Sequence, residues 1–480
     1  NISRPFSSVI KREYLDCLLE PFPGQGFPIH IFIMPRFSSV CIGAWLFINP
    51  LILSVRTLWS GSLWRFGRSE MSRFLAFPAQ ELKVISLISF GHMLSHFFFF
   101  VLPPLYLALK EEFAVSYVLL ALPMAVYAVA AGVTQTPVGF WVDRMGARKI
   151  LIAGLILQGL SVAAIGLTTT FWQLLILYTI TGVANTVFHP ADYAILSGSI
   201  AKERLGRAFS LHLASGNLGW VFVPGVMIGL TELWDWRTAF IIVGMIGFIF
   251  GLVVWACISS MSEERSDEKS KNQQEDRDSD TTKDGIALLF SFPIMMCFAF
   301  FIMLTIGFTG IRSFMVVALN QLYGLSDVVG NTILTGFMAG SFIGVLVGGL
   351  VADKYGPRVA TAFGTLVGAA VLLLLVGSYD LPVIVIFTTI AISGLLQGVL
   401  LPSRDLLIRA VTPAGSMGKV VGFLTMGMMM AAAAVQPIFG WLMDINEPRW
   451  VFWLSAIFVS GALFCFSSAK IKNQETSAAK

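Results

Sequence analysis

The sequence of 480 residues has little charge, since only 12% of its residues are Asp, Glu, Lys or Arg. A soluble domain carries about 25%. Apolar residues make up 56% of the chain, and 40 residues are Phe. A water-soluble globule of this length could not bury that much apolar surface. The composition therefore excludes soluble domains and disordered chains and indicates a polytopic membrane protein, with the lipid bilayer as its surroundings.

Paired cysteines are also lacking: the five cysteines are scattered and none forms a CxxC pair, which excludes a disulfide scaffold. The chain has no GxSxG, HExxH or phosphate-binding-loop pattern, and no domain that could bind ATP. We therefore expect a protein that is not an enzyme, that has no cofactor, no metal and no nucleic-acid partner, and that does not pump at the expense of ATP on its own.

What is present is a series of apolar runs suited to helices that cross a bilayer, for which about 20 residues are needed. Twelve such runs follow residue 83, namely Val84–Leu109, Tyr117–Val138, Ile150–Leu167, Phe171–Ile200, Phe209–Leu230, Thr238–Ile258, Ile286–Leu319, Val328–Val351, Val359–Val376, Pro382–Ile408, Val420–Met443 and Val451–Phe466. The predicted fold class is an all-α membrane protein of twelve transmembrane helices.

A polar, acid-rich segment separates the sixth run from the seventh and divides the chain into two halves. It cannot bury a core and is predicted to be a flexible linker. The predicted organisation is an N-terminal extension of doubtful status (1–80), a six-helix half (81–260), the linker (261–284), a second six-helix half (285–470) and a tail (471–480). Because the chain begins with Asn1, we expect the extension to be an appended or mis-started segment with Met71 as the true start. The alternative is a membrane-surface helix.

Lysine and arginine in the short loops predict the orientation. If the linker is cytoplasmic, thirteen of these residues fall in the loops and tail on that side, and only Lys110, Arg237 and Arg449 fall on the other. We therefore expect both ends of the twelve-helix unit to face the cytoplasm, in a monomer located in the plasma membrane, which is the inner membrane of a bacterium.

The pattern Gly-x-x-x-Asp-Arg/Lys-x-Gly-x-Arg occurs after the second run and again 210 residues later. Its residues are Gly139, Asp143, Arg144, Gly146 and Arg148 in the first copy and Gly349, Asp353, Gly356 and Arg358 in the second. The first Gly allows close approach of a helix, and the second permits a turn with positive φ. Two copies predict two parallel six-helix repeats, an architecture of transporters whose substrate site lies between the halves.

This loop resembles the signature loop of the major facilitator superfamily. The resemblance covers residues 84 to about 470 and implies the major facilitator fold, alternating access, and a loop that locks the outward-facing state from the cytoplasmic side. The motifs around Gly91-His92, Leu102-Pro103-Pro104 and Phe188-His189-Pro190 look like those of the fosmidomycin-resistance branch, which implies proton-coupled export by antiport. Two departures count against drug antiport: span four has no Arg near Tyr178, and the glycines of span five fit the antiporter pattern loosely.

Ionisable residues inside the spans are candidate functional groups, because they are costly in a membrane. His92 and His96 lie one turn apart on one helix face near the middle of span one. Imidazoles take and release protons near neutral pH, which favours proton coupling, with His96 as the main group and His92 as a weaker one. Hydrogen bonding to neighbouring helices is the alternative. A metal site is not expected, because no acid is near this pair in the sequence.

Four further groups fall toward the cytoplasmic ends of spans four and ten: His189, Asp192, Arg404 and Asp405. They are candidates for a gate or proton path, or for charges that pair with Arg207 or Arg409 at the interface. Arg312, in the outer half of span seven, either faces the cavity, where it would attract an anionic group, or extends to the outer headgroups.

The predicted function is secondary active transport of a small organic solute, coupled to protons and directed outward. Uptake of an organic anion or metabolite is the alternative, and a receptor without transport activity is a third possibility.

Overall fold

The computed structural model describes residues 77–262, 287–356, 359–413 and 416–478. Within these ranges the secondary structure is helical, and twelve spans are long and apolar enough to cross a membrane. This confirms the predicted fold class. Most of the predicted extension and linker, together with Arg358, lie outside the described residues, so the division at residues 80, 261 and 284 stays a prediction.

The N-terminal half contains eight helices, because two of its spans are broken. They are α1 (Ala79–Phe99), α2 (Tyr106–Phe113), α3 (Tyr117–Met145), α4 (Ala147–Ile165), α5 (Phe171–Asn185), α6 (Phe188–Ser199), α7 (Lys202–Leu233) and α8 (Trp236–Ala256). Polar residues cap several of them: Ser116 accepts a hydrogen bond from Leu119 N at the start of α3. Asp235 accepts one from Thr238 N at the start of α8, and this bond lowers the pKa of its carboxyl.

The breaks in spans one and four differ from the continuous runs predicted above. Pro103 and Pro104 form a short 3-10 turn between α1 and α2, since proline cannot continue the hydrogen-bond ladder of a helix. The Tyr178 hydroxyl, in span four, donates to Phe99 O at 2.6 Å and so satisfies a carbonyl at the end of α1. The second break separates α5 from α6 and places Pro190 in the first turn of α6, where a missing N–H has no cost.

Among the described residues of the C-terminal half, six helices are long enough to cross a membrane, and none of them is broken. They are α9 (Phe292–Tyr323), α10 (Asp327–Tyr355), α11 (Val359–Ser378), α12 (Val383–Val411), α13 (Met417–Asp444) and α14 (Arg449–Ala478). Helices α3 and α10 both have 29 residues, and their first and last residues are 210 positions apart. Pro402, which follows Pro190 by 212 residues, lies inside the continuous helix α12. The repeat of 210 residues therefore holds for the bounds of α3 and α10, whereas the break in span four has no equivalent in α12.

Residues 262 and 287 lie at one end of the bundle, which we call the linker end. The two halves are joined at the opposite end, which we call the far end. At the far end, Asp444 of α13 accepts hydrogen bonds from Tyr117 N and Val118 N of α3, at 2.7 and 3.0 Å. Asn331 of α10 donates to Pro104 O at 2.9 Å. The largest buried apolar cluster contains residues of both halves, whereas a second cluster contains N-terminal residues alone.

Candidate functional site

His92 lies at the centre of a group of four histidines and one aspartate in the N-terminal half. Its Nδ1 atom is 2.5 Å from His212 Nε2, and its Nε2 atom is 2.9 Å from His96 Nε2. The Asp192 carboxylate lies 3.7 Å from His92 and 3.6 Å from His212. The His189 ring is 5.3 Å from the His92 ring. Four of the five histidines of the chain thus meet, and we call these five residues the histidine cluster.

Three helices of the same half supply the histidine cluster. Helix α1 supplies the first two histidines, α6 supplies His189 and, three residues later, the carboxylate, and α7 supplies His212. Helix α7 approaches α1 closely because residue 216 is glycine. A Cβ at Gly216 would lie 2.7 Å from the His92 ring, which is closer than such contacts occur.

The centre of the cluster is closed to solvent. His92 has 1% of its surface exposed, and Asp192 and His212 have none. Neither carboxylate oxygen of Asp192 has a hydrogen-bond partner among the described residues. An ionised carboxylate that is buried without compensation costs several kcal/mol. The two imidazoles beside it can supply the compensation when one of them carries an extra proton.

The cluster also offers donors for a metal ion, because one ligand atom each from His92, Asp192 and His212 lie within 4.8 Å of one another. No acid is near the histidine pair in the sequence, and it is the fold that brings Asp192 of α6 to His92. The close contact between His92 Nδ1 and His212 Nε2 also lets the two imidazoles share a proton, so the same three residues offer a proton site.

An aromatic bridge leads from the histidine cluster to the other half. The His96 ring stacks on the Trp220 indole of α7, with centroids 4.8 Å apart and planes 19° apart. On the same indole, the Arg312 guanidinium of α9 lies 5.2 Å from the ring centroid, within the range of a cation–π contact. Two ring contacts therefore connect the histidine cluster to Arg312, the cationic residue of α9.

The other predicted pathway residues lie apart from the cluster. Arg404 forms an ion pair with its neighbour Asp405, with Nη2 and Oδ1 2.8 Å apart, and its guanidinium lies over the Phe301 ring. The structure thus brings Asp192 to two histidines but leaves its span-ten counterparts paired with each other. His189 is exposed, and His92, rather than His96, has the most partners.

The signature loop is described in part. Gly146 and Gly356 end α3 and α10 with φ of +92° and +66°, the positive φ predicted for this glycine. Arg148 donates to Met261 O at 3.1 Å, and Arg144 and Asp353 are exposed. No described atom lies within 4 Å of a Cβ built on Gly139 or Gly349, so the close helix approach predicted for the first glycine is absent at the linker end.

Sequence reasoning missed His212 and Trp220. A signal for His212 exists, because it is an ionisable residue inside the apolar run of span five. No pattern within α7 indicates that its face meets α1, and that contact is what gives His212 its place in the cluster. Trp220 has no comparable signal, since aromatic residues are common in every span.

Comparison with known proteins identifies the family to which this arrangement belongs. The family model of the Major Facilitator Superfamily matches residues 88–330 and 301–479. The membrane sensor protein UhpC of Escherichia coli (strain K12) is 25% identical over 267 residues, which are 52% of this chain and 59% of that protein. The probable L-galactonate transporter of the same organism is 25% identical over 149 residues, 31% of this chain and 33% of that protein.

Two further similarities agree with this result. The fosmidomycin resistance protein of Escherichia coli (strain K12) is 22% identical over 288 residues, 60% of this chain and 69% of that protein. A bacterial homologue of the human lysosomal transporter Spinster, solved in an inward-facing and occupied conformation, matches with a TM-score of 0.68 and 14% identity over 82% of this chain and 97% of that chain. The chain matches 59% and 33% of the lengths of the first two relatives.

Proposed function

The chain belongs to the Major Facilitator Superfamily, and on that premise we propose that it is a proton-coupled secondary transporter that moves a small organic solute across the membrane by alternating access. The chain is a multi-pass membrane protein and not an enzyme. The observation that carries the proposal is the buried pair of His92 and His212 beside Asp192.

The proton step follows from the charge of the histidine cluster. With both imidazoles neutral, one proton lies between them and Asp192 gives the cluster a charge of −1. One further proton neutralises it. Because net charge inside a membrane is expensive, the two forms of the cluster favour different arrangements of the surrounding helices. The exposed ring of His189, 5.3 Å from that of His92, gives the proton a route to the buried centre.

The packing of the halves supports alternating access. Hydrogen bonds between the halves lie at the far end, and the apolar cluster nearest the linker end contains one half alone. With the linker in the cytoplasm, as the loop charges predict, this arrangement corresponds to a state open to the cytoplasm. We propose the inner membrane of a bacterium as its location and a monomer as its active form.

Two directions of transport are candidates. Export in exchange for protons agrees with the motifs of spans one and four and with the likeness to a fosmidomycin resistance protein. Uptake of an organic anion together with protons is favoured by one observation, the cation Arg312 at the interface of the halves, and by the likeness to a probable L-galactonate transporter. Both candidates use the same proton site.

Radiolabelled solute flux in proteoliposomes tests the proposal, with galactonate and fosmidomycin among a panel of organic acids. An imposed pH gradient should drive accumulation by the parent chain. Asp192→Asn and His212→Gln should abolish accumulation and retain downhill exchange, because neither amide carries a proton. Asp380→Asn is the matched control, since this carboxylate is 89% exposed.

If Asp192→Asn accumulates solute as well as the parent chain does, at equal amounts of reconstituted protein, the proton binds elsewhere and the proposal is wrong. If the parent chain moves no member of the panel in either direction, a sensor function is favoured instead. One relative is named as a membrane sensor protein.

A further inference from the structure

Two nitrogen donors at the interface between the halves have no hydrogen-bond acceptor among the described residues. They are Trp220 Nε1 and Arg312 Nε, and both atoms are buried. Leaving a buried donor without an acceptor costs about 1–3 kcal/mol, and more when the donor is charged. Most buried polar groups in proteins therefore have partners. Two such donors on residues in contact with each other indicate a missing acceptor common to both.

The charge of Arg312 leads to the same conclusion. Within the described ranges, no Asp or Glu forms an ion pair with Arg312, whereas Arg404 has Asp405. The side chain does not extend to the headgroups, because its guanidinium faces the Trp220 indole of the other half. A cation held inside a membrane protein without a counter-ion favours an anion that comes from outside the chain.

Arg312 and Trp220 together fit an acidic group. A guanidinium donates two parallel hydrogen bonds to a carboxylate, phosphonate or phosphate, and the indole N–H can donate a further one. The His96 ring, which belongs to the histidine cluster, stacks against the same indole. The two unpartnered donors of Trp220 and Arg312 thus lie between the histidine cluster and α9.

We infer that Arg312 and Trp220 form a subsite for the acidic group of the transported solute, which is therefore an organic anion. The inference rests on the proposed transport function and names the substrate class at the same interface, independent of the direction of transport. A lipid headgroup carries the same phosphate chemistry, so the test is made in the absence of phospholipid.

Fluorine NMR of the full chain labelled with fluorotryptophan and purified in a neutral sugar detergent tests the subsite. The resonance of Trp220 is identified by its loss in Trp220→Phe. The probes are two matched pairs: propionate and propionamide, and methylphosphonate and its dimethyl ester. Both anions should shift the Trp220 resonance saturably, whereas the neutral partners should leave it unchanged.

Arg312→Gln should weaken the response to both anions about tenfold or more, because it removes a charge-assisted pair of hydrogen bonds. Arg312→Lys keeps the charge and should retain part of the response even if Arg312→Gln folds poorly. Arg449→Gln is the control, since Arg449 donates to Gly377 O outside the interface.

The subsite is wrong if neutral and anionic probes act alike, if Arg312→Gln responds as the parent does, or if the resonance responds to no soluble anion. A response that appears only after anionic phospholipid is added would assign Arg312 to a lipid headgroup and also overturn it. Because binding is measured without transport, a chain that binds anions and moves no solute would refute the proposed function and leave the subsite intact.

Discussion

At Gly216 the histidine cluster depends on the absence of a side chain. A Cβ at this position would lie 2.7 Å from the His92 ring and 3.0 Å from His96 Cε1. Both rings belong to α1 and are joined by a hydrogen bond of 2.9 Å, and α7 passes directly against this pair at residue 216. Residue 216 thus sets the geometry of the proton site although it has no titratable group itself.

We predict that Gly216→Ala uncouples transport while leaving every histidine in place. The added methyl group forces the two rings to move, at a cost of about 1–3 kcal/mol for an overpacked site, and disturbs the proton shared by His92 and His212. The ratio of uphill to downhill flux in proteoliposomes should fall well below that of the parent.

The matched control for this prediction lies on the same helix. At Gly225 the nearest atom to an added Cβ would be Thr335 Oγ1, at an ordinary contact distance of 3.9 Å, so Gly225→Ala should keep the parent ratio. If both alanine variants behave like the parent, the spacing of the rings is not required for coupling.

At the scale of helices, the contact between α13 and α3 holds the far end closed. Asp444 accepts two backbone N–H groups at the start of α3, at 2.7 and 3.0 Å, and Lys110 Nζ lies 3.6 Å from its Oδ1. A carboxylate at a helix N-terminus is also favoured by the helix dipole. This contact joins the halves and must break for the far end to open.

We predict that Asp444→Asn shifts the protein toward the state open at the far end. An amide keeps one acceptor and loses the charge, and hydrogen bonds to charged groups contribute about 1.5–3 kcal/mol. An equilibrium between the two states should then move by roughly tenfold or more. Distances between spin labels on Glu111 and Glu447, which flank the contact, should show a longer component.

The control for Asp444→Asn is Asp380→Asn, which makes the same chemical change within the C-terminal half, where the carboxylate lies 3.9 Å from Arg449. It should leave the distance distribution unchanged. An unaltered distribution in Asp444→Asn would mean that apolar packing alone keeps the far end closed.

At the scale of the whole molecule, the sequence predicted the number of spans because each helix must satisfy its own backbone in the membrane. The helix bounds of α3 and α10 follow the repeat of 210 residues for the same reason. The sequence did not predict which helices contact one another. His92 and His212 are 120 residues apart, and their meeting depends on which faces of α1 and α7 pack together.

The same reasoning explains why Arg404 and Asp405 were weak predictions. Arg404 follows Asp192 by 212 residues, close to the repeat of 210, but α12 is continuous where span four breaks into α5 and α6. The break and the close approach of α7 bring the acid of α6 to the histidines, whereas the span-ten acid stays 61% exposed beside its own arginine.

The direction of transport depends on the sign of the coupling between solute and proton. His96 and Arg312 both contact the Trp220 indole, at centroid distances of 4.8 and 5.2 Å, so a proton on His96 lies on the order of 10 Å from an anion held by Arg312. At an effective dielectric constant of about 20, this attraction is about 1.7 kcal/mol, or more than tenfold in affinity. Because such coupling is reciprocal, the proton should strengthen the binding of the anion, and the anion should strengthen the binding of the proton.

We therefore predict that propionate, measured by the Trp220 resonance, binds at least several-fold more tightly at about pH 6 than at about pH 8, on either side of the ordinary histidine pKa. Propionate itself stays ionised over this range, as carboxylic acids do, so the change belongs to the protein. Asp192→Asn should reduce the pH dependence, because it alters the charge of the histidine cluster. Tighter binding in acid favours proton and anion moving together, which is uptake. Tighter binding at about pH 8 would mean that proton and solute exclude each other, and would favour export by exchange.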